Sequence, residues 1–208
     1  MTKIGDLNNF QLDVLKEIGN IGAGHAATAL SQLISEPITM TVPNVSVVSL
    51  SEVSEILGGA EQEVVGVYMR MFGDVPGKII FVFAEEEALT LAGMLTDNKN
   101  KPQALNDYEK SALKEIGNIM TGAYLYALTK LTGYNVLSSV PILANDMVGA
   151  ILNTALLEFG IIGDYALFIQ TQFSLTQRKI NGHFFLVPDP GALDVLLNAL
   201  GVEIEWKK

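Results

Sequence analysis

The sequence predicts a mixed α/β (α+β) domain: two αβxββ halves related by a pseudo-two-fold, with two equivalent helices side by side on a shared β-sheet. Three observations predict it. The heptapeptide Leu-Lys-Glu-Ile-Gly-Asn-Ile occurs at Leu15–Ile21 and again at Leu113–Ile119, an offset of 98 residues (113 − 15 = 98). Each copy lies in a helical pattern and is followed by runs of β-branched and aromatic residues with turn residues between them. One polar stretch, Thr96–Gln103, separates the copies, so a linker at about 97–103 divides a first half (1–96) from a second (104–208) of one domain.

The first element of each half is the clearest. Between Leu7–Leu33 and Leu105–Leu131, 13 of 27 aligned positions are identical. Asn8 and Asn106 open the copies, with Gln11 and Glu109 three residues on, the arrangement of a reciprocal helix cap. At roughly 100° per residue, Leu15, Ile18, Gly22, Ala26, Ala29 and Leu33 form a buried stripe, as do Leu113, Ile116, Met120, Tyr124, Ala127 and Leu131. Asp13, Glu17, Asn20 and Gly24 fall on the opposite, solvent-facing side, matched by Ser111, Glu115, Asn118 and Gly122.

The remaining elements follow in order. Ile38–Met40 and Val45–Leu50 read as extended. Val64–Met71 and Lys78–Phe83 read as strands joined by the turn Gly73–Gly77, and Glu85–Leu95 as a helix. In the second half a strand is expected near Asn135–Ser139, a helix near Ile142–Leu157, strands near Tyr165–Phe173 and Ile180–Val187, and a last helix over Gly191–Leu200.

Composition excludes several classes. Of 208 residues, 49% are apolar, enough for a sizeable core. With 23 acidic against 13 basic residues the net charge is −10, which argues against a nucleic-acid partner, since phosphate neutralisation needs a basic surface. The absence of cysteine excludes disulfides and thiol chemistry. Met1–Phe10 does not read as a signal peptide, and Asn153, Glu158 and Asp164 interrupt the greasiest stretch, so no membrane insertion is expected and the location read is cytoplasmic. His25 and His183 lack acidic partners at ligand spacing, so no metal site is expected.

Two features single out the polar face of the repeat. Glycine inside a helix costs about 1 kcal/mol relative to alanine. Close helix packing accounts for Gly22, but Gly24 lies on the polar side, where it leaves a bare patch beside Asn20 for another chain's close approach. Asparagine is a mediocre helix former, yet Asn20 and Asn118 are mid-helix. Buried positions differ between the copies (Gly22 against Met120, Ala26 against Tyr124) while exposed Glu and Asn do not. Core usually outlasts surface, so the inversion points to function.

The pattern extends to Asp13-x3-Glu17-x2-Asn20-x22-Pro43 and Ser111-x3-Glu115-x2-Asn118-x22-Pro141. It resembles the signature of the CheC/CheX/FliY phosphatases of bacterial chemotaxis, and two copies in one chain of this length match the CheC branch. The resemblance covers essentially the whole chain and implies a CheC-like fold and hydrolysis of the aspartyl phosphate of phosphorylated CheY. It implies that Asn20 and Asn118 orient the attacking water, while Glu17 and Glu115 dock to the active-site lysine of CheY. No cofactor of the chain's own is implied, because CheY supplies Mg2+ in its own active site. Asp13 and Ser111 would tune the face or merely solvate it, Pro43 and Pro141 would support the motif helix at a loop-to-strand or loop-to-helix junction, and Gly24 and Gly122 would allow close approach. The family's deamidase partner CheD would dock near Asp146. The competing reading is a non-catalytic adaptor that grips CheY-P or CheD in chemotaxis or flagellar switch control.

Overall fold

A computed structural model of the chain describes residues 7–96, 104–158, 165–175 and 178–201, and within the helix ending at residue 158 it describes side chains only up to residue 153. The expected linker at 97–103 lies outside the described residues. In chain order the elements are α1 (Asn9–Ile34), β1 (Ile38–Ser49), α2 (Val53–Ile56), β2 (Glu63–Gly73), β3 (Gly77–Ala84), α3 (Glu85–Leu95), α4 (Asp107–Thr132), β4 (Val136–Ser138), β5 (Ile142–Met147), α5 (Val148–Glu158), β6 (Tyr165–Leu175), β7 (Arg178–Pro188) and α6 (Ala192–Ala199).

The strands described form one sheet in the order β1-β6-β7-β3-β2-β4, with β5 also on β2, and every pairing is antiparallel. The order reads the same when the halves are exchanged. β3 and β7 meet in the middle, β1 of the first half lies on β6 of the second, and β4 and β5 of the second lie on β2 of the first. Each half thus supplies the other's outer strands.

Alternation along the strands sorts residues onto two apolar layers. Val65, Val67, Met69, Ile79, Phe81 and Phe83 join the layer that α1, α3, α4 and α6 cover. Val64, Tyr68, Ile80 and Val82 join a smaller one beneath α2 and α5. β3 is buried on both faces, which is why Gly77–Ala84 reads as a nearly continuous apolar run. Lys78, almost buried, is neutralised by Asp189 at 2.8 Å, tying β3 to the start of α6.

Four expectations are corrected. Ile142–Met147 is a strand, and the helix begins only at Val148. The free edge of β2 draws it in: Glu63–Tyr68 would otherwise show an unpaired edge, and Pro141 sets the chain extended at its start. Ile38–Met40 and Val45–Leu50 merge into the single strand β1, whose register with β6 shifts between Thr41 and Asn44. The short helix α2 is additional. Leu33 and Leu131 are each 47% exposed, and the buried stripes end instead at Leu30 and Leu128.

Candidate active site

The reciprocal caps set where both motif helices begin. The Gln11 amide donates to Asn8 Oδ1 and the Asn8 amide to Gln11 Oε1, both at 2.9 Å. In α4 the amides of Tyr108 and Glu109 donate to Asn106 Oδ1 at 2.8 and 3.2 Å, and the Asn106 amide donates to Glu109 Oε2 at 3.0 Å. Fixing the first turn fixes the rotational phase of each helix, and so which face meets the sheet.

The helices cross at closely fitted positions. A Cβ on Gly22 would stand 3.0 Å from the Cα of Tyr124, so only glycine admits that backbone approach. The Tyr124 ring meets Phe184 edge-on at 5.1 Å, and its hydroxyl is fully buried without a hydrogen-bond partner among the described residues. That burial raises its pKa well above the ordinary tyrosine value. At the outer seam His25 of α1 meets Tyr126 of α4 edge-on at 5.2 Å, and the Lys130 ammonium lies 5.4 Å from the Tyr126 ring centre. Residue spacing alone gave no sign of this seam.

Asp13, Glu17 and Gly24 are exposed on α1, and Ser111, Glu115, Asn118 and Gly122 are exposed on α4. A Cβ on Gly24 or Gly122 would meet nothing within 4 Å, so both glycines leave open surface. No ion pair joins Glu17 or Glu115 to another described residue.

Asn20 departs from its expected place. It is half-buried rather than fully solvent-facing. The Val42 amide donates to Asn20 Oδ1 at 2.9 Å, and Asn20 Nδ2 donates to the Lys16 carbonyl at 3.2 Å. Val42 immediately precedes Pro43, so this bond spans the 22-residue step of the motif. Pro43 therefore lies inside β1, at the register shift, and not at a loop-to-strand junction. Pro141 does stand at the start of a strand, β5. The signal for the Val42 contact was present as a fixed Asn-to-Pro distance, but a spacing does not say which atoms meet.

A carboxamide offers two donors and two acceptors. Asn118 commits none of them to another described residue, so it can hold a water through one donor and one acceptor contact. Among the described residues no group of three His, Asp or Glu could hold a metal, and no helix is long and apolar enough to cross a membrane. Asp146 is exposed near the end of β5, opposite Val64, and its Oδ1 accepts from the Met147 amide at 2.7 Å.

A family model described as the CheC-like family matches residues 10–47, which span the first motif from Asp13 to Pro43. A second, described as chemotaxis phosphatase CheX, matches residues 65–161, which include the second motif. The chain is 34% identical over 209 residues to the CheY-P phosphatase CheC of Bacillus subtilis (strain 168), covering 98% of this chain and 100% of that one. The chain belongs to the CheC-like family. The CheC-like fold is shared with Thermotoga maritima FliY, whose crystal structure matches with a TM-score of 0.80 at 20% identity, over 94% of this chain and 98% of that one. FliM in a FliM-SpeE complex from H. pylori matches with a TM-score of 0.71 at 10% identity, over 95% of this chain and 100% of that one, a likeness of fold alone.

Proposed function

We propose that this chain is a chemotaxis phosphatase that hydrolyses the aspartyl phosphate of phosphorylated CheY. The observation that carries the proposal is the face around Asn118: an exposed carboxamide with no bond to another described residue, Glu115 nearly one turn before it, and Gly122 leaving bare surface one turn after it. Kinship with a protein named CheY-P phosphatase supplies the substrate class.

The chemistry follows from what the face offers and what it lacks. It carries no nucleophile with a base beside it. The bond to be broken and the divalent cation, Mg2+, come with the partner. Phosphoryl transfer depends chiefly on positioning and charge stabilisation. Asn118, inserted into the partner's pocket, would fix one water in line with the phosphorus by a donor and an acceptor contact. Glu115 would pair with the partner's active-site lysine, an ion pair that gains strength as docking expels water. Asn20 and Glu17 would act likewise at the first motif. Gly24 and Gly122 would let the partner's loops approach the helices. Asp13 and Ser111 would tune the face or merely solvate it.

Release of phosphate from phosphorylated CheY tests the reading. The chain should accelerate it, and the Asn20→Ala/Asn118→Ala double variant should lose roughly 10²-fold in rate, the scale of one lost transition-state hydrogen bond. A double variant as fast as the parent would remove the role of the asparagines. Binding of CheY-P without faster release would make the chain an adaptor. We also propose that exposed Asp146 contributes to a docking surface for CheD. Asp146→Lys should weaken CheD capture in a pull-down, and parental capture would discard that surface.

A further inference from the structure

We infer that the backbone amide of Val42 is a positioning group for Asn20, and that the asparagine-to-proline spacing of the motif is a latch, closed in the first half and open in the second. The inference rests on the functional reading above and concerns how readily each site delivers its asparagine.

At the first motif the latch is built from three neighbours. Val42 donates its amide to Asn20 Oδ1 at 2.9 Å. Pro43, next in the chain, disfavours helical backbone at Val42 and has no amide of its own to compete. Gly19, beside Asn20, lets the strand come close: a Cβ there would stand 3.3 Å from Val42 Cγ2. The asparagine is thus drawn against β1, half-buried, with one acceptor site and one donor already used.

The second motif holds the same residues apart. The counterpart of Val42 is Val140 (42 + 98 = 140), which is 79% exposed. The residue before it is tied to β2, where the Ser139 amide donates to the Arg70 carbonyl at 2.8 Å. The counterpart of Gly19 is Gly117, which faces Val67 of β2, a Cβ there falling 2.7 Å from Val67 Cγ1. Asn118 therefore accepts from no strand amide among the described residues and stands exposed.

To enter a partner's pocket Asn20 must leave Val42, whereas Asn118 holds no bond to another described residue. A net intramolecular hydrogen bond corresponds to a factor of roughly two to ten in population. That factor is the expected handicap of the first site. It acts on turnover rather than docking, because exposed Glu17 stands clear of the latch.

The test isolates the first site in the Asn118→Ala background. Val42→Pro, which deletes the donor, should raise kcat for CheY-P roughly two- to tenfold with KM unchanged, and adding Asn20→Ala should abolish the gain. A folded Val42→Pro chain with unchanged or lower kcat overturns the latch. Should circular dichroism show that chain unfolded, an amide-to-ester replacement at Val42, which keeps the side chain, carries the same two expectations. Hydrogen exchange of the Val42 amide tests the bond without any turnover. Asn20→Ala should speed it at least about twofold, and unchanged exchange overturns the latch. A parent chain that leaves CheY-P lifetimes unaltered sinks the functional reading alone, since the exchange result still decides the bond.

Discussion

α1 and α4 are each 26 residues long, begin at reciprocal asparagine caps and carry the same Glu-x2-Asn pair, yet they rest on unlike foundations. At equivalent positions α1 has Gly22, Ala23 and Ala26 where α4 has Met120, Thr121 and Tyr124, all six of them buried. α1 lies over β1, whose Val42 amide takes hold of Asn20, whereas Gly117 of α4 faces β2. The ends differ too: α1 stops at Ser35 in the left-handed region (φ 56°), α4 at Gly133 (φ 75°), where only the glycine is free of a Cβ penalty. A repeated motif therefore does not make a repeated site. The same side chains acquire different freedom from the strand that happens to lie beside them.

Single asparagine variants break or sharpen this comparison most strongly. With a handicap of two to ten at the first site, Asn118→Ala should lower total phosphate release from CheY-P about three- to elevenfold, and Asn20→Ala by at most about a third. Equal losses in a steady-state release assay would show two equivalent sites.

Stability should rank them the other way. Asn20→Ala leaves the Val42 amide without its partner and should cost about 1–3 kcal/mol in urea unfolding, while Asn118→Ala should lie within about 0.5 kcal/mol of the parent. An unchanged midpoint for Asn20→Ala would mean that water replaces the bond at no cost.

Two glycines of α1 give a contrast within one helix. Gly22→Ala should destabilise by about 1–3 kcal/mol, because its Cβ meets the Tyr124 backbone at 3.0 Å. Gly24→Ala, with open space around it, should stabilise by about 1 kcal/mol. Thermal melts of both variants read the difference, and a stabilising Gly22→Ala would show that the crossing is looser than described. A small effect is expected of Tyr124→Phe. It removes a buried hydroxyl that has no partner among the described residues, so stability should stay level or rise by up to about 1 kcal/mol. A loss above 1 kcal/mol in the same melts would reveal a bond made by that hydroxyl.

Where local signals were strong, elements were legible in the sequence. Glu85–Leu95 is helical over the expected residues, and the turn at Gly73–Gly77 joins β2 and β3 as its Gly-Asp-x-Pro-Gly composition predicts. Of the candidate site, Glu17, Glu115, Asn118, Gly24 and Gly122 lie exposed as the helical period requires. Ile142–Met147 was illegible as a strand because a short apolar run suits either element, and only the free edge of β2 selects between them. Asn20 was misjudged for the same kind of reason. Its angle on the helix is correct, but an angle does not tell what stands opposite.

The sequence by itself determined the duplicated helices, their caps, the phase that turns Glu and Asn outward, and membership of a family whose motif it carries twice. Those are properties of residues within a few turns of one another, and local hydrogen bonding and helical period decide them. Only the tertiary structure decided that each half lends the other its outer strands, and so that Val42 reaches Asn20 while Val140 stays clear of Asn118. Such contacts join residues 22 positions apart or lying in different halves. Their outcome depends on which strand edge is open to receive each segment, a competition settled by pairing across the whole sheet.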